Sequence, residues 1–466
     1  MLMTLEEAAR AAHAKVLNAA DVTLRGAVSD NREAGAGDLF AAIVGERADG
    51  HDFARAAVQA GAAAVLAERD PFDGENVAPV LVADDTVKAL GRLGHAWRER
   101  FGGLVTGITG TAGKTTTKEL LAHVLSMHGK TAKNRMNLNS QIGMPISMMA
   151  ADGDEEFWVM EAGISHPNDM DELGPVMEPD LAVILNVGPG HALGLGGRGT
   201  AYYKSRLLAH VRKGGQALVS ADYEDLVREA RAVRPDAVFF STQGRSVPYR
   251  AGYLGLDENG RGNYRLWLDG EELDVSCALS GPYAAENIIA AAAAARLSGL
   301  SCEEIRQGVE SAPFPAQRFA RHDLADWIVI DDTYNANPLS AARMIEAAAE
   351  LARDRTFVCV MGAMGELGDL AEVEHRRLGR ILASSGCAAV FWTGGHAAEV
   401  KEGLEEERFA GFFAEVPQST DFLPALKSWE ETRRDGRKGL VLFKGSRVNR
   451  MERLVTLFME QKSHAL

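Results

Sequence analysis

Cysteine is scarce in this sequence: four in 466 residues, at positions 277, 302, 359 and 387, with no CxxC pair among them. That excludes a disulfide framework and gives no zinc site, so the four read as small core residues in a reducing compartment. Long hydrophobic runs are missing too. No stretch is long enough to span a bilayer, and the opening MLMTLEEAARAAHAKVL has no uninterrupted apolar core of the secretory kind. A cytoplasmic protein is expected, without membrane insertion. Positive charge is also in deficit, the formal net charge being -15, which works against non-specific nucleic-acid binding. It does not exclude an anionic small ligand held by a local group of cations and helix N-termini.

What is present is globular. Apolar residues make up 46% of the chain and charged ones 25%, enough to bury large cores. A chain of this length exceeds one ordinary core and should divide into several domains. Short apolar runs at Leu39–Val44, Ala62–Ala67 and Pro79–Val82 alternate with Ala-rich helical sequence and predict a small α/β domain over residues 1–100. Apolar strands at 104–107, 157–160, 181–186 and 216–220, separated by helix-length segments, predict a mainly parallel, doubly wound sheet in residues 101–313. Turn signals at 259–262 and 269–270 predict a β-meander on one edge of that sheet, before an Ala-rich helix from Tyr283 to Leu297. Further strands at 327–330, 357–360, 389–392 and 440–443 predict a third, Rossmann-like α/β domain from residue 314 to 466. The glycine-rich stretch 188–199 reads either as a lid or as a long connection.

The strongest chemical signal lies in LVTGITGTAGKTTTKELLAHVL, where a short strand, a glycine-rich turn and a helix follow in order. Backbone N–H groups from Gly110, Thr111, Ala112 and Gly113 to Lys114 can surround phosphate oxygens at a helix N-terminus. Lys114 would reach the terminal phosphates of ATP, and Thr115, followed by Thr116, offers a hydroxyl to Mg²⁺. Ile108 stands where the strict motif has its first glycine, so the match is to the shorter TGTxGKT form. Glu161 ends a predicted strand and His191 follows another, the place where open α/β sheets set their sites. Each could also be an ordinary strand end or loop residue. Lys204, read alone, is a solvated lysine on a helix, and His375 stands open between a closing interface and a plain surface histidine.

Beyond the phosphate loop, the chain resembles the Mur ligases of peptidoglycan synthesis along nearly its whole length. The resemblance rests on GDLFAAIVGERADGHDF (37–53), TGTAGKTTTKE, NLNSQIGMP (137–145), MEAGISHPNDM (160–170), NVGPGHA (186–192), DDTYNANP (331–338), GELG (365–368) and KGSR (444–447). DDTYNANP, NLN and KGSR are similar to the member that adds D-alanyl-D-alanine to UDP-N-acetylmuramoyl-tripeptide, rather than to those adding the first three amino acids. The resemblance implies three α/β domains: one for the UDP substrate, a central ATPase, and a closing domain that contributes to nucleotide and dipeptide binding. It implies an ATP- and Mg²⁺-dependent ligase working through an acyl phosphate, with Lys114, Thr115, Glu161 and His191 serving phosphates and metal. Lys204 falls where the family carries a CO₂-carbamylated lysine. Asn287, Asp332, Asn335 and Asn337 resemble the adenosine-holding residues, and Arg318 the nucleotide-side arginine. Asn31, Arg32, Asp49, Gly50 and His51 resemble the uridine pocket, while Lys444, Gly445, Ser446 and Arg447 belong to dipeptide binding or closure. A monomer is expected.

The sequence departs from the family pattern at Asn31, Tyr283, Ala284, Arg206 and Ala363. These changes keep two alternatives open: another Mur or folylpolyglutamate-type ligase, and a nucleotide-binding regulator that has lost ligation. The absence of a DNPR-type motif argues against the diaminopimelate-adding member. Whether the third tripeptide residue is lysine or meso-diaminopimelate is not legible in the sequence.

Overall fold

A computed structural model describes residues 2–135, 138–188, 198–313, 317–432 and 438–463. His191, Asn137 and most of the glycine-rich stretch therefore lie outside the described residues. The architecture is three α/β bodies, as expected. The N-terminal body carries a five-stranded sheet in the order 15–17, 80–82, 64–67, 38–41, 26–28, antiparallel only at its first pair.

The central body is built on a nine-stranded sheet in the order 271–277, 262–268, 249–256, 238–241, 216–220, 181–184, 104–109, 157–161, 131–133. Its strands from 131–133 to 249–256 run parallel. The last two turn back as the expected meander, paired antiparallel on one edge. The strands at 131–133 and 238–241 escaped the sequence reading because they are short and one lies half-buried. Leu104–Thr109 lies between Phe157–Glu161 and Leu181–Ile184, so the chain winds first to one side of it and then to the other. This reversal opens a crevice at the C-terminal strand ends, directly above the phosphate loop.

The C-terminal body has a six-stranded sheet in the order 320–323, 327–332, 439–444, 356–362, 389–393, 412–415, antiparallel only at the first pair. Its edge strands 320–323 and 412–415 are half-exposed; the first, ARHD, carries no continuous apolar run, whereas the second opens with Phe412, Phe413 and Ala414.

The bodies are joined in two different ways. One apolar core runs from Met3, Leu90 and Trp97 of the first body into Met148, Trp158 and Met177 of the second. Arg98, wholly buried at the end of helix Thr86–Arg100, donates to the Met177 and Glu178 carbonyls and pairs with Asp180 at 2.7 Å. Asp180 in turn accepts from the Val105 N–H. The C-terminal body has its own cores, one of them covered in part by Leu256 and Tyr283 of the central body, and it makes polar bonds across the seam. Arg318 reaches Thr115, Asn337 reaches the Thr111 carbonyl, Arg343 reaches Glu286, and Tyr253 reaches Glu350, with Tyr283 against Phe319 as an aromatic contact.

Candidate active site

Strand Leu104–Thr109 is buried on both faces and delivers the chain to a tight turn that starts helix Lys114–Ser126. Gly113 makes that turn with φ +81°, and a Cβ there would lie 2.1 Å from Asn287 Oδ1. No side chain other than hydrogen fits both the conformation and the space. Asn186 fixes the loop from the neighbouring strand. Its carboxamide accepts from the Ala112 N–H at 2.8 Å and donates to the Ala112 carbonyl at 3.0 Å, and its own carbonyl accepts from Thr111 N–H.

Lys114 and Lys204 converge on one atom. Both donate to the Gly110 carbonyl, at 2.9 and 3.1 Å. Lys204, on helix Gly199–Ser205, is buried, not the solvated lysine that its sequence context alone would give. Desolvation, reinforced by the Lys114 charge, lowers its pKa well below the ordinary lysine value, Glu161 opposing. Desolvation lowers Lys114 as well.

Glu161 ends its strand beside Ile108 and points at the loop: Thr115 Oγ1 donates to one carboxylate oxygen at 2.8 Å and Asn139 Nδ2 to the other at 2.8 Å. Its backbone is held as firmly. Asn134 accepts from the Glu161 N–H and donates to its carbonyl, while the buried Lys118 donates to the Asn134 carbonyl at 2.7 Å. The structure thus adds Asn134, Asn139 and Asn186 to the site, residues whose polar loop positions gave them no separate role in the sequence. The cue available for Asn134 and Asn186 was their place within two residues of strand ends; Asn139 lies six residues past its strand and had no such cue.

A third side comes from the C-terminal body. Arg318 Nη2 donates to Thr115 Oγ1 at 3.0 Å, its guanidinium lying 4.0 Å from the centre of the Tyr334 ring. Asp332 and Lys444 end neighbouring parallel strands in register, so their side chains pair at 2.5 Å, almost fully buried. Lys444 also donates to the Asn335 carbonyl, and Asn337 caps the helix starting at Pro338.

These residues enclose a cavity of about 610 Å³. Phosphate-loop residues 111–116, Glu161 and Asn287 form its floor; Arg318, Asp332, Asn335, Asn337, Lys444 and Arg447 form the facing wall. Its far end is lined by Ser140, Gln141, Ser165 and His166, on loops held by Asp169. Gly445 and Ser446 lie behind the wall. Ser446 Oγ donates to the carbonyl of Ala363, the position that departs from the family pattern.

Asn31, Arg32, Asp49, Gly50 and His51 do not line this cavity. They lie in the N-terminal body, where Arg32 is exposed and paired with Asp30. The His51 ring is buried with both nitrogens engaged, Nδ1 by Asp49 and Nε2 accepting from the Glu68 N–H. His375 sits on neither a closing face nor the surface. It is buried within the C-terminal body, Nε2 accepting from the Met364 N–H and Nδ1 donating to the Ala371 carbonyl, with its ring stacked 4.4 Å from His396.

Comparison with known proteins agrees with this arrangement. Three family descriptions match in order: Mur ligase family, catalytic domain over residues 25–97; Mur ligase middle domain over 108–295; and Mur ligase, glutamate ligase domain over 317–447. The UDP-N-acetylmuramoyl-tripeptide--D-alanyl-D-alanine ligase of Bacillus subtilis is 31% identical over 441 residues, covering 94% of this chain and 93% of its own. The Escherichia coli enzyme of the same name is 29% identical, covering 95% and 96%. Among solved structures, MurF from Acinetobacter baumannii superposes with a TM-score of 0.89 at 31% identity, covering 99% of both chains. MurF from Thermotoga maritima in complex with ADP superposes with a TM-score of 0.80 at 26% identity, covering 95% and 99%. A folylpolyglutamate synthase from Thermotoga maritima shares only the fold, at 14% identity and a TM-score of 0.58. With its three matched segments in order and relatives that align over nearly its full length, the chain belongs to the Mur ligase family.

Proposed function

We propose that this protein is the ATP-dependent ligase that joins D-alanyl-D-alanine to UDP-N-acetylmuramoyl-tripeptide, forming the pentapeptide precursor of peptidoglycan. The observation that carries the reading is the single cavity in which a phosphate loop, the Glu161 carboxylate and the Arg318, Asp332 and Lys444 side chains of another body face one another. The full-length similarity to ligases of that name supports the choice of substrates.

The chemistry follows from charge. A carboxylate is a poor electrophile, so the tripeptide carboxylate first attacks the γ-phosphate of ATP, releasing ADP and forming an acyl phosphate. The dipeptide amine then attacks the acyl carbon, and the tetrahedral intermediate expels phosphate to leave the amide. Two anions must meet at the first step, so the protein's task is cationic and positional. In this reading Gly110–Thr116 cradle the phosphates with Lys114 on the terminal ones. Arg318 approaches from the facing body, and Asn287, Asp332, Asn335 and Asn337 hold the adenosine.

The donor set suits a hard divalent cation: Thr115 and Glu161 already bring two oxygens within 2.8 Å of each other at the phosphate end of the cavity. When bound, Mg²⁺ would neutralise phosphate oxygens, held by Thr115, Glu161, His191 and a carbamylated Lys204. Lys204 is suited to that modification because its lowered pKa favours the neutral amine. The amine nitrogen can add to the carbon of CO₂ and lose a proton, turning a cation into an oxygen donor. The uridine end is assigned to Asn31, Arg32 and the 49–51 turn, where His51 shapes the turn since its ring is fully engaged. Lys444 to Arg447 serve closure and the dipeptide, and closure excludes the water that would hydrolyse the acyl phosphate. We place the reaction in the cytoplasm, carried out by a monomer; among the described residues no helix is long and apolar enough to cross a membrane.

The test is phosphate release by the purified protein with ATP, Mg²⁺, UDP-N-acetylmuramoyl-tripeptide and D-alanyl-D-alanine, using tripeptides ending in lysine and in meso-diaminopimelate. Release that requires both substrates is expected. Release that ignores the dipeptide, or no release with either tripeptide, overturns the assignment.

A further inference from the structure

We propose that Arg343 is a positioning residue that couples docking of the C-terminal body to the shape of the phosphate loop, acting through Glu286 and Asn186. The proposal rests on the ATP reading of the loop but not on the identity of the other substrates.

Glu286 is the lone carboxylate in the 16-residue helix Pro282–Leu297, most of whose residues are buried alanines and isoleucines. It is 2% exposed. A carboxylate in that setting must be paired and hydrogen-bonded on both oxygens. Arg343, from helix Pro338–Ala352 of the C-terminal body, donates to Oε2 at 2.8 Å. Asn186 donates to the same oxygen at 2.7 Å, and the Tyr223 hydroxyl donates to Oε1 at 2.9 Å. The second Arg343 nitrogen donates to the Tyr223 oxygen at 2.9 Å, closing a ring of polar contacts.

Asn186 carries this arrangement to the loop. The Nδ2 that touches Glu286 also donates to the Ala112 carbonyl, while Oδ1 accepts from the Ala112 N–H. The amide can satisfy both Ala112 groups only in one orientation, and Glu286 Oε2 selects it by taking the other Nδ2 hydrogen. Arg343 holds Oε2 in place only when the C-terminal body is docked. Docking therefore sets the Glu286 rotamer, the Asn186 amide and the Ala112 peptide together, and nucleotide binding at that peptide favours the docked arrangement in return.

The experiment is a double-mutant cycle on Mg²⁺–ADP affinity by calorimetry, with ATP KM and kcat measured in the ligase assay. Arg343→Ala and Glu286→Gln are each expected to weaken ADP about tenfold or more, and the double variant no more than twofold beyond either single. Tyr223→Phe, which deletes one hydroxyl and leaves Glu286 Oε1 without its donor, should weaken ADP by two- to fourfold with a modest fall in melting temperature. Arg343→Lys should recover part of the loss, since one ammonium can reach Glu286 but not Tyr223 as well. In turnover the loss should fall on ATP KM, with the dipeptide KM unchanged. Single losses that multiply in the double variant would make Arg343 a direct nucleotide contact and overturn the coupling. So would ADP affinities within twofold of wild type for Arg343→Ala and Tyr223→Phe. ADP binding is measured without peptide substrates, so failure of the ligase assignment and failure of this coupling are told apart.

Discussion

Replacing Gly113 by alanine adds one methyl group at the most constrained point of the phosphate loop. Two costs can be worked from the structure. At φ +81° an L side chain is in the left-handed region, which costs roughly 1–2 kcal/mol. The new Cβ would lie 2.1 Å from Asn287 Oδ1, so that amide must swing away from its 3.3 Å bond with Thr117 Oγ1, at about 1 kcal/mol. The sum is about 2–3 kcal/mol, or roughly 30- to 150-fold at 1.4 kcal/mol per decade. If the loop keeps its shape without nucleotide, the cost is paid on folding and appears as a lower denaturation midpoint. If it relaxes, the cost reappears on binding as weaker ADP affinity. Calorimetry with ADP and urea unfolding of the same preparation measure both parts. A variant with ADP affinity within threefold of wild type and an unchanged unfolding free energy would refute the strain argument.

Lys204→Ala should abolish ligation, and short carboxylic acids or bicarbonate should restore part of it; activity equal to wild type would remove Lys204 from the site. Arg98→Ala leaves Asp180 and two carbonyls without their buried partner and should cost about 3–5 kcal/mol in urea unfolding; a loss below about 1 kcal/mol would contradict it. Burial, the largest influence, holds the His375 pKa below the ordinary histidine value, so the folded state binds fewer protons than the unfolded one between the two. Stability contributed there is fully present above the unfolded value of about 6.5 and is lost as pH falls toward the folded one. Unfolding curves should show that loss in wild type and not in His375→Gln, and parallel pH profiles would sink the idea.

Strands with continuous apolar runs were legible, because burial on both faces leaves an unbroken signature in strands such as 181–184 and 439–444. The half-exposed edge strand 320–323, ARHD, lacks it. Within the site, the phosphate loop announced itself through glycine spacing, and Glu161 through its place at a strand end. Lys204 did not, since a helix sequence does not say which face meets a carbonyl 94 positions away. Asn134 and Asn186 were hidden for a related reason: their work is to bind backbone, which needs no recognisable partner residue. Glu286 left a mark that could have been read, a single acid among buried alanines and isoleucines in the Ala-rich helix. Arg343, its partner, is an ordinary arginine on an amphipathic helix until the two bodies are brought together.

The different seams between the bodies set how the protein should respond to salt. An apolar core such as the one shared by the first two bodies is indifferent to moderate ionic strength. The seam to the C-terminal body contains the ion pair of Arg343 with Glu286, which screening reaches as soon as the bodies part. Added salt should therefore favour the parted arrangement without loosening either core. Docking of the third body should then weaken as salt rises, with nucleotide opposing that loss through the coupling at Arg343.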